Sequence, residues 1–243
     1  MYLCTSNLLT MGILFNAINK DFRYHEALKS CMNCGVCTAI CPAAEFYKYE
    51  PRKICNIIQQ QDEKEIEILL RSDVIWYCGQ CMSCKTRCPR GNTVGSLISV
   101  LRKISQEMGF FTNSEKGRQQ LAIKRTVGEN ILNNGYCVHP DILNLDLHPE
   151  QGPIWSWFKE NIEEICEKMG ANYKKDGAGA LRKIRQENLD EIKNIFDITG
   201  ASELFETIES YSKTKSQEMN LNFEQSDEYF MDILTKNSGN HTT

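Results

Sequence analysis

The feature that most constrains this chain is a run of four cysteines that occurs twice. The first run holds Cys31, Cys34, Cys37 and Cys41, and the second holds Cys78, Cys81, Cys84 and Cys88. Both runs have the spacing C-x2-C-x2-C-x3-C, and both are followed by a proline. This spacing binds a cubane [4Fe–4S] cluster, because a tight turn directs three closely spaced thiolates at one cube. The sequence therefore predicts two such clusters.

The fourth cysteine of each run is expected to bind the cluster of the other run, as it does in two-cluster proteins. The ligands assigned to the first cluster are Cys31, Cys34, Cys37 and Cys88. The ligands assigned to the second cluster are Cys78, Cys81, Cys84 and Cys41. Crossed ligands of this kind would hold the two clusters close together in a fixed geometry.

Structural zinc and disulfide bonds are the alternatives for so many cysteines. A structural zinc site usually takes two separated C-x2-C pairs, and four cysteines at the present spacing do not suit one tetrahedral ion. Disulfide bonds need an oxidising compartment, which nothing in the sequence indicates. Outside the runs, the remaining cysteines stand singly, and we expect them to be small buried apolar side chains rather than ligands. They are Cys4, Cys55, Cys137 and Cys166.

Charge is unevenly distributed along the chain. The formal net charge is -4, and residues 201–243 carry eight acidic side chains against three lysines. An acidic tail on a nearly neutral body argues against nucleic-acid binding. The apolar run from Leu8 to Ile18 lacks a basic leader and is too short and polar to span a bilayer. We therefore expect a protein without a transmembrane segment, located in the cytoplasm, with any membrane association arising through its complex.

The spacer between the two runs predicts the fold. Pro51 suits the first position of a helix, Asp62 and Glu65 form a capping-box pattern, and Ser72 suits the cap of a further short turn. Residues 42–77 show no alternating strand pattern and no hairpin turn, both of which a β-sheet ferredoxin scaffold would show. The spacer therefore predicts short helices around the clusters.

A longer helix is predicted directly after the second run. Asn92 or Thr93 suits its cap, and its apolar stripe continues to Met108. The N-terminus of a helix carries partial positive charge, which suits an anionic cluster held by four thiolates. Arg87 and Arg90 flank the last cysteine of the second run and face either a cluster, a partner or solvent.

These elements predict an all-α fold, in which an α-helical ferredoxin core binds two [4Fe–4S] clusters and a helical C-terminal extension follows. The expected segments are an N-terminal helical segment at 1–30, the ferredoxin core at 31–110, a helix and loop connection at 111–152, and the extension with its acidic tail at 153–243. Pro153 begins a predicted helix that continues to Met169.

Two weaker patterns lie beyond the second run. Six basic side chains against two acidic ones between Arg102 and Arg125 indicate either a solvated helix face or a docking patch for an acidic partner. Cys137, His139 and His148 have metal-binding side chains, but they lack the spacing of a ligand set. We therefore expect no metal at these three residues.

The residues around the runs point to one family. They are Tyr49–Ile54 between the runs, and Ile75–Cys78 and Arg87–Gly91 around the second run. With the runs themselves, they resemble the C subunit of the heterodisulfide reductase family over about residues 20 to 108. Members of that family carry electrons between a flavin-containing A subunit and a B subunit with cysteine-rich CCG motifs. The resemblance implies an electron-transfer subunit with these two partners, and no catalytic site is expected in this chain alone.

Other iron–sulfur subunits share a helical two-cluster module and remain alternatives. Those of succinate dehydrogenase normally add a C-x4-C-x2-C motif, and those of glycolate oxidase and anaerobic glycerol-3-phosphate dehydrogenase normally add CCG repeats; this sequence has neither. A structural or sensor iron–sulfur protein is a third alternative, although no helix-turn-helix with a basic recognition face is recognisable. The typical methanogen C subunit lacks the long extension, so the chain looks more like the heterodisulfide-reductase-like complexes of bacteria and archaea, including those linked to sulfur oxidation.

Overall fold

The computed structural model describes residues 12–142, 152–224 and 228–235. These residues form helices, turns and loops, and none of them lies in a β-strand, so the predicted all-α fold is confirmed. Cys4 and His148 lie outside the described residues. The chain divides into two compact units between Arg118 and Gln119. The segment boundaries predicted at residues 31, 111 and 153 stay predictions.

The first unit consists of short helices joined by loops. Its α-helices are α1 (Ile13–Lys20), α2 (Phe22–Ala27), α3 (Val36–Ala39), α4 (Ala43–Phe46), α5 (Pro51–Gln60), α6 (Glu63–Leu70), α7 (Ser83–Arg87), α8 (Val94–Glu107) and α9 (Glu115–Arg118). One 3-10 helix, Asp73–Trp76, precedes the second cysteine run, and another, Phe110–Asn113, follows α8.

Branched aliphatic side chains form the core of this unit. Ile58 on α5, Ile66 on α6 and Leu101 on α8 are all at 0% exposure. Burying one such side chain contributes about 1.5–3 kcal/mol. The shared core therefore fixes α5 and α8, whose first turns reach the cysteine loops.

The helix-start signals of the spacer are confirmed. Pro51 lies at the first position of α5, the Asp62 carboxylate accepts two N–H groups from the first turn of α6, and Ser72 caps the 3-10 helix before the second run. Thr93 precedes α8, but its side chain makes no capping bond. Its N–H instead donates to the Ala27 carbonyl at 2.9 Å, which ties the start of α8 to the end of α2.

Longer helices characterise the second unit. Its α-helices are α10 (Gln120–Ile123), α11 (Glu129–Asn134), α12 (Pro153–Glu160), α13 (Ile162–Lys168), α14 (Gln186–Thr199), α15 (Ala201–Glu218) and α16 (Glu228–Thr235), with a π-helical turn at Lys124–Gly128 and a 3-10 helix at Pro140–Ile142. None of the described helices of either unit is both long and apolar enough to cross a membrane.

The single helix predicted from Pro153 to Met169 is wrong, because the chain breaks at Asn161. Asn161 has a φ of -113°, and its side-chain amide donates to the Trp157 carbonyl at 2.8 Å. An asparagine side chain that bonds the preceding turn competes with the helical backbone pattern. The periodic apolar residues therefore belong to two short helices.

Two basic residues of the Arg102–Arg125 stretch form internal ion pairs in the second unit. Lys124 Nζ lies 2.6 Å from Glu129 and 3.1 Å from Glu209, and Arg125 donates to the same Glu209 carboxylate. The Lys124 and Arg125 side chains are only 14% and 8% exposed. The docking-patch hypothesis is therefore wrong for these two residues.

The single cysteines differ in their surroundings. Cys55 and Cys166 are buried, as predicted, but Cys137 is exposed, so its predicted burial is wrong. Cys137 follows Gly135, whose left-handed backbone ends α11. The chain leaves the packed helix at that point, which places the cysteine on the surface.

Candidate iron–sulfur centres

The two cysteine runs have the same backbone conformation. Asn33 and Gln80, each two residues after the first cysteine of its run, both have positive φ, at 53° and 52°. Gly35 and Met82 hold equivalent positions two residues later and are also left-handed, at 85° and 59°. Short helices, α3 and α7, begin directly after them. The sequence repeat is therefore also a structural repeat.

The same turn directs a backbone N–H at the first sulfur of each run. Asn33 N–H donates to Cys31 Sγ at 3.4 Å, and Gln80 N–H donates to Cys78 Sγ at 3.4 Å. A donor aimed at sulfur favours the thiolate, which is the form that binds iron. Both loops are therefore preorganised to hold a negative sulfur at this position.

The first cavity lies between the first run and the end of the second. Its cysteine side chains are Cys31, Cys34, Cys37, Cys55 and Cys88. The volume is about 400 Å³, including the part open to solvent. Cys88 lies in this wall as the crossed assignment requires. Arg52 and Arg90 also line the cavity and are exposed, whereas Arg87 is exposed and does not line either cavity.

The second cavity lies between the second run and the end of the first. Its cysteine side chains are Cys37, Cys41, Cys78, Cys81 and Cys84, and its volume is also about 400 Å³. Cys41 comes from the end of the first run, again as crossed ligands require. Met82 and Gly95 lie in the same wall. A Cβ at Gly95 would lie 2.8 Å from Met82 Sδ, so glycine permits the close approach of α8.

Both cavities share part of one wall. Cys37 and Val94 line the first and the second cavity alike. Val94 is the first residue of α8, so the N-terminus of this 14-residue helix lies at the shared wall. Its partial positive charge suits two anionic groups, which agrees with the expectation from the sequence.

The cysteine donors fit the iron–sulfur assignment. Each wall offers five thiols, and its lining residues include no histidine, aspartate or glutamate. Soft thiolates of this kind select iron–sulfur clusters, whereas hard cations prefer oxygen. Within the described ranges, no three metal-binding side chains converge closely enough to hold a single metal ion.

The thiols differ in how easily they ionise. Burial raises the pKa of Cys37 and of Cys41 above that of an ordinary thiol. A positive partner such as iron would favour the thiolate at these half-buried positions. Cys81 is exposed, and its hydrogen bond with Ser83 at 3.4 Å lowers its pKa.

Each loop is also held by a side chain that bonds the carbonyl of its first cysteine. In the first run, Gln59 Nε2 donates to Cys31 O at 3.0 Å. In the second run, Arg102 Nη2 donates to Cys78 O at 2.7 Å. Arg102 also donates to Trp76 O at 3.0 Å and through Nε to Ile75 O at 2.8 Å. The equivalent carbonyl is therefore held by a neutral amide in one loop and by a guanidinium in the other.

Tyr49 contributes a buried hydroxyl to the second cavity. The residue is 2% exposed and lines this cavity, and its buried hydroxyl lies within reach of the Cys78 thiol. Burial raises the pKa of Tyr49 well above its ordinary value, and the neighbouring Cys78 thiol raises it further. The hydroxyl therefore stays protonated and remains available as a donor toward the cavity.

Sequence reasoning missed the roles of Tyr49, Cys55, Gln59 and Arg102. Cys55 was correctly expected to be buried, but it lies in the first cavity beside the predicted ligands. Burial raises the pKa of Cys55, and a hydrogen bond with Cys31 raises it further. It is therefore a protonated neighbour of a predicted ligand.

Known proteins match both the cysteine region and most of the chain. A family model described as a 4Fe-4S dicluster domain matches residues 27–92. The chain is 30% identical over 207 residues to the C subunit of ferredoxin:CoB-CoM heterodisulfide reductase of Methanosarcina acetivorans, a match that covers 84% of this chain and 74% of that protein. The chain belongs to the C-subunit family of heterodisulfide reductases. It binds two [4Fe–4S] clusters and has an iron–sulfur electron-transfer role.

Other members of this family give shorter matches. The C2 subunit of the H(2)/formate:CoB-CoM heterodisulfide,ferredoxin reductase of Methanococcus maripaludis is 36% identical over 144 residues, covering 57% of this chain and 71% of that protein. The second iron-sulfur C subunit of CoB--CoM heterodisulfide reductase from Methanocaldococcus jannaschii is 28% identical over 145 residues, covering 58% of this chain and 71% of that protein.

The match to the Methanosarcina acetivorans protein corrects one expectation about the C-terminal extension. Since the match to the Methanosarcina acetivorans protein covers 84% of this chain, it must reach past residue 153 into the extension. The expectation that a methanogen C subunit lacks this region is therefore wrong for that relative. The extension gives no reason to prefer a complex of sulfur oxidation.

Proposed function

We propose that this chain relays single electrons from a flavin-containing A subunit to a CCG-motif B subunit, or in reverse, within a heterodisulfide-reductase-like complex. One observation carries the proposal: the two cysteine cavities share a wall at Cys37 and Val94. Centres on either side of one wall are close enough to exchange electrons without a mobile carrier. The matched relatives are named as C-type subunits of such reductases, which supports a place among other subunits.

When bound, [4Fe–4S] clusters supply one-electron redox chemistry. The residues of this chain would hold and shield that chemistry. Cys31, Cys34, Cys37 and Cys88 are proposed to hold the first cluster. Cys78, Cys81, Cys84 and Cys41 are proposed to hold the second. The N-terminus of α8 offsets negative charge at the shared wall, and the backbone donors of Asn33 and Gln80 orient one sulfur in each site.

Catalysis is proposed to occur elsewhere in the complex. A disulfide or organic substrate needs a flavin, an open coordination site or an activated dithiol. With eight run cysteines used as ligands, neither cluster is expected to keep an open position. We therefore expect dithionite or a partner flavoprotein to reduce the chain, while the pure chain turns over no disulfide.

Anaerobic reconstitution of a complex tests this function. The full chain would be co-expressed with the flavin-containing and CCG-motif proteins from one genome, and the rate of heterodisulfide reduction by the reduced flavoprotein would be measured with and without it. We expect turnover only with the chain present. The matched control is Cys137→Ser, which changes an exposed cysteine outside both cavities and should keep the full rate.

Two results would contradict the proposal. One is an equal rate without the chain, which would mean that electrons pass directly from the flavoprotein to the CCG-motif protein. The other is steady disulfide turnover by the pure chain with an artificial donor, which would make it a catalyst. Capture of a membrane succinate or glycerol-3-phosphate dehydrogenase in place of these two partners would favour the alternative class of iron–sulfur protein.

A further inference from the structure

The two centres have the same backbone but different electrostatic surroundings. Gln59, which holds the Cys31 carbonyl, is neutral and exposed. Arg102, which holds the Cys78 carbonyl, is charged and partly buried. Among the described residues no carboxylate forms an ion pair with Arg102, whose guanidinium donates to three backbone carbonyls and lies over the Trp76 ring. Its positive charge is therefore left to act on the second centre.

The arginines of the first cavity do not have the same effect. Arg52 and Arg90 line that cavity, but both are exposed to solvent. Water and salt screen exposed charges, whereas partly buried charges are screened much less. We therefore expect the charge of Arg102 to be screened less than the charges of the two arginines of the first cavity.

Tyr49 adds a second difference. Tyr49 lines the second cavity at 2% exposure, and its buried hydroxyl lies within reach of Cys78, a proposed ligand of the second cluster. A sulfur of the second cluster is the acceptor that this cavity would supply. Hydrogen bonds to cluster or ligand sulfur are one of the factors that set a cluster's potential.

We propose that Arg102 and Tyr49 are positioning residues that give the second cluster the higher midpoint potential of the two. Reduction adds one negative charge to a cluster, so a nearby positive charge and a donor to sulfur both favour the reduced form. With both clusters bound, an electron on the first would move to the second, which would be reduced as the first is oxidised. This inference rests on the two-cluster relay and adds a direction to it.

Redox titration followed by electron paramagnetic resonance tests the inference on the full, anaerobically purified chain. Tyr49→Phe removes only the hydroxyl and should lower the higher of the two midpoint potentials. The equilibrium constant for electron transfer between the clusters should fall roughly two- to tenfold, as expected for one hydrogen bond. Arg102→Gln should lower the same potential, and Arg102→Lys, which keeps the charge, should restore much of it.

Matched controls separate these effects from general damage. Tyr24→Phe makes the same chemical change at a partly exposed tyrosine that packs edge-on against Phe15 and lines neither cavity. Lys103→Gln removes a neighbouring exposed charge on α8. Neither control should move a midpoint potential. In the wild-type chain, exchange into heavy water should remove a proton coupling from the spectrum of the second cluster, and Tyr49→Phe should lack that coupling.

Several results would overturn the inference. One is that neither Tyr49→Phe nor Arg102→Gln changes a midpoint potential. Another is that a variant lowers the lower of the two potentials instead of the higher. A third is that the two variants change the potentials of different clusters. Iron content distinguishes an error in the roles of Arg102 and Tyr49 from an error in the proposed two-cluster relay. About eight irons per chain with unmoved potentials would overturn only the roles of Arg102 and Tyr49, whereas about four irons after full reconstitution would overturn the two-cluster assignment.

Discussion

The first and second cysteine loops are nearly identical in backbone and differ in what surrounds them. Both turn at left-handed residues, both direct an N–H at their first sulfur, and both have the carbonyl of that cysteine held by a side chain. An exposed amide of Gln59 does so in the first loop, and a partly buried guanidinium of Arg102 in the second. Duplicated loops therefore fix the shape of a cluster site, while residues from neighbouring helices make the two sites unequal.

The strongest test of the comparison removes the fourth ligand of each run. Cys88→Ser should remove the first cluster and Cys41→Ser the second, because each lies in the cavity of the other run. Iron should fall from about eight to about four per chain in each variant. Iron analysis and the spectrum of the remaining cluster would check this. As a control, Cys166→Ser, in the second unit, should keep all the iron. Loss of the same cluster in Cys88→Ser and in Cys41→Ser would refute the crossed assignment.

The next largest effect, on stability, is expected at Arg102 and Gln59, which donate to the carbonyls of Cys78 and Cys31. Arg102→Ala leaves the carbonyls of Ile75, Trp76 and Cys78 without their donor, and we expect a loss of about 2–4 kcal/mol of stability. Gln59→Ala should cost only about 0.5–1.5 kcal/mol, since it is exposed and neutral. Anaerobic chemical denaturation measures both changes. Equal losses would show that the two loops are held equally.

A smaller effect is expected at Cys55, the fifth thiol of the first cavity. Cys55→Ala should keep both clusters, because four other cysteines of the same wall are the proposed ligands. It should cost about 1 kcal/mol of stability, since the residue is at 0% exposure and loses packing. Iron analysis and thermal unfolding of the variant would measure these effects. Loss of about half the iron would instead make Cys55 a ligand of the first cluster.

The smallest effect is expected at the arginines that flank Cys88. Arg90 lines the first cavity and Arg87 lines neither, so Arg90→Gln should slightly lower the potential of the first cluster and Arg87→Gln should not. Both side chains are exposed, so the Arg90 effect should shrink further at high ionic strength. Redox titration at two salt concentrations checks this. A larger shift in Arg87→Gln than in Arg90→Gln would contradict the placement of these side chains.

Local sequence signals predicted the scaffold of the centres well. Pro51, Asp62 and Ser72 start helical elements as expected, because each acts within a turn of its own position. The two cavities also bring together the cysteines that the runs predicted. Signals of this kind depend on spacing alone and need no knowledge of distant contacts.

The residues that make the sites unequal were not predictable in the same way. Arg102 reaches the Cys78 carbonyl, and its sequence pattern suggested only a basic stretch. One signal was present, since Val94, Ile98 and Arg102 recur at helical spacing on α8, which places a charge beside an apolar stripe. Tyr49 belonged to the family resemblance, but nothing in its sequence neighbours indicated a buried hydroxyl beside a predicted ligand. Both roles depend on tertiary packing.

Cys34 and Cys81, which are the exposed second cysteines of the two runs, have a practical consequence. Each of these cysteines lines a cavity and is exposed, so we expect dissolved oxygen and peroxide to attack a cluster from this side. We expect the free chain to lose iron in air, starting at these two edges. Partner surfaces that cover them would act as a barrier to oxidants, so the lifetime of the clusters in air should lengthen once the chain is assembled.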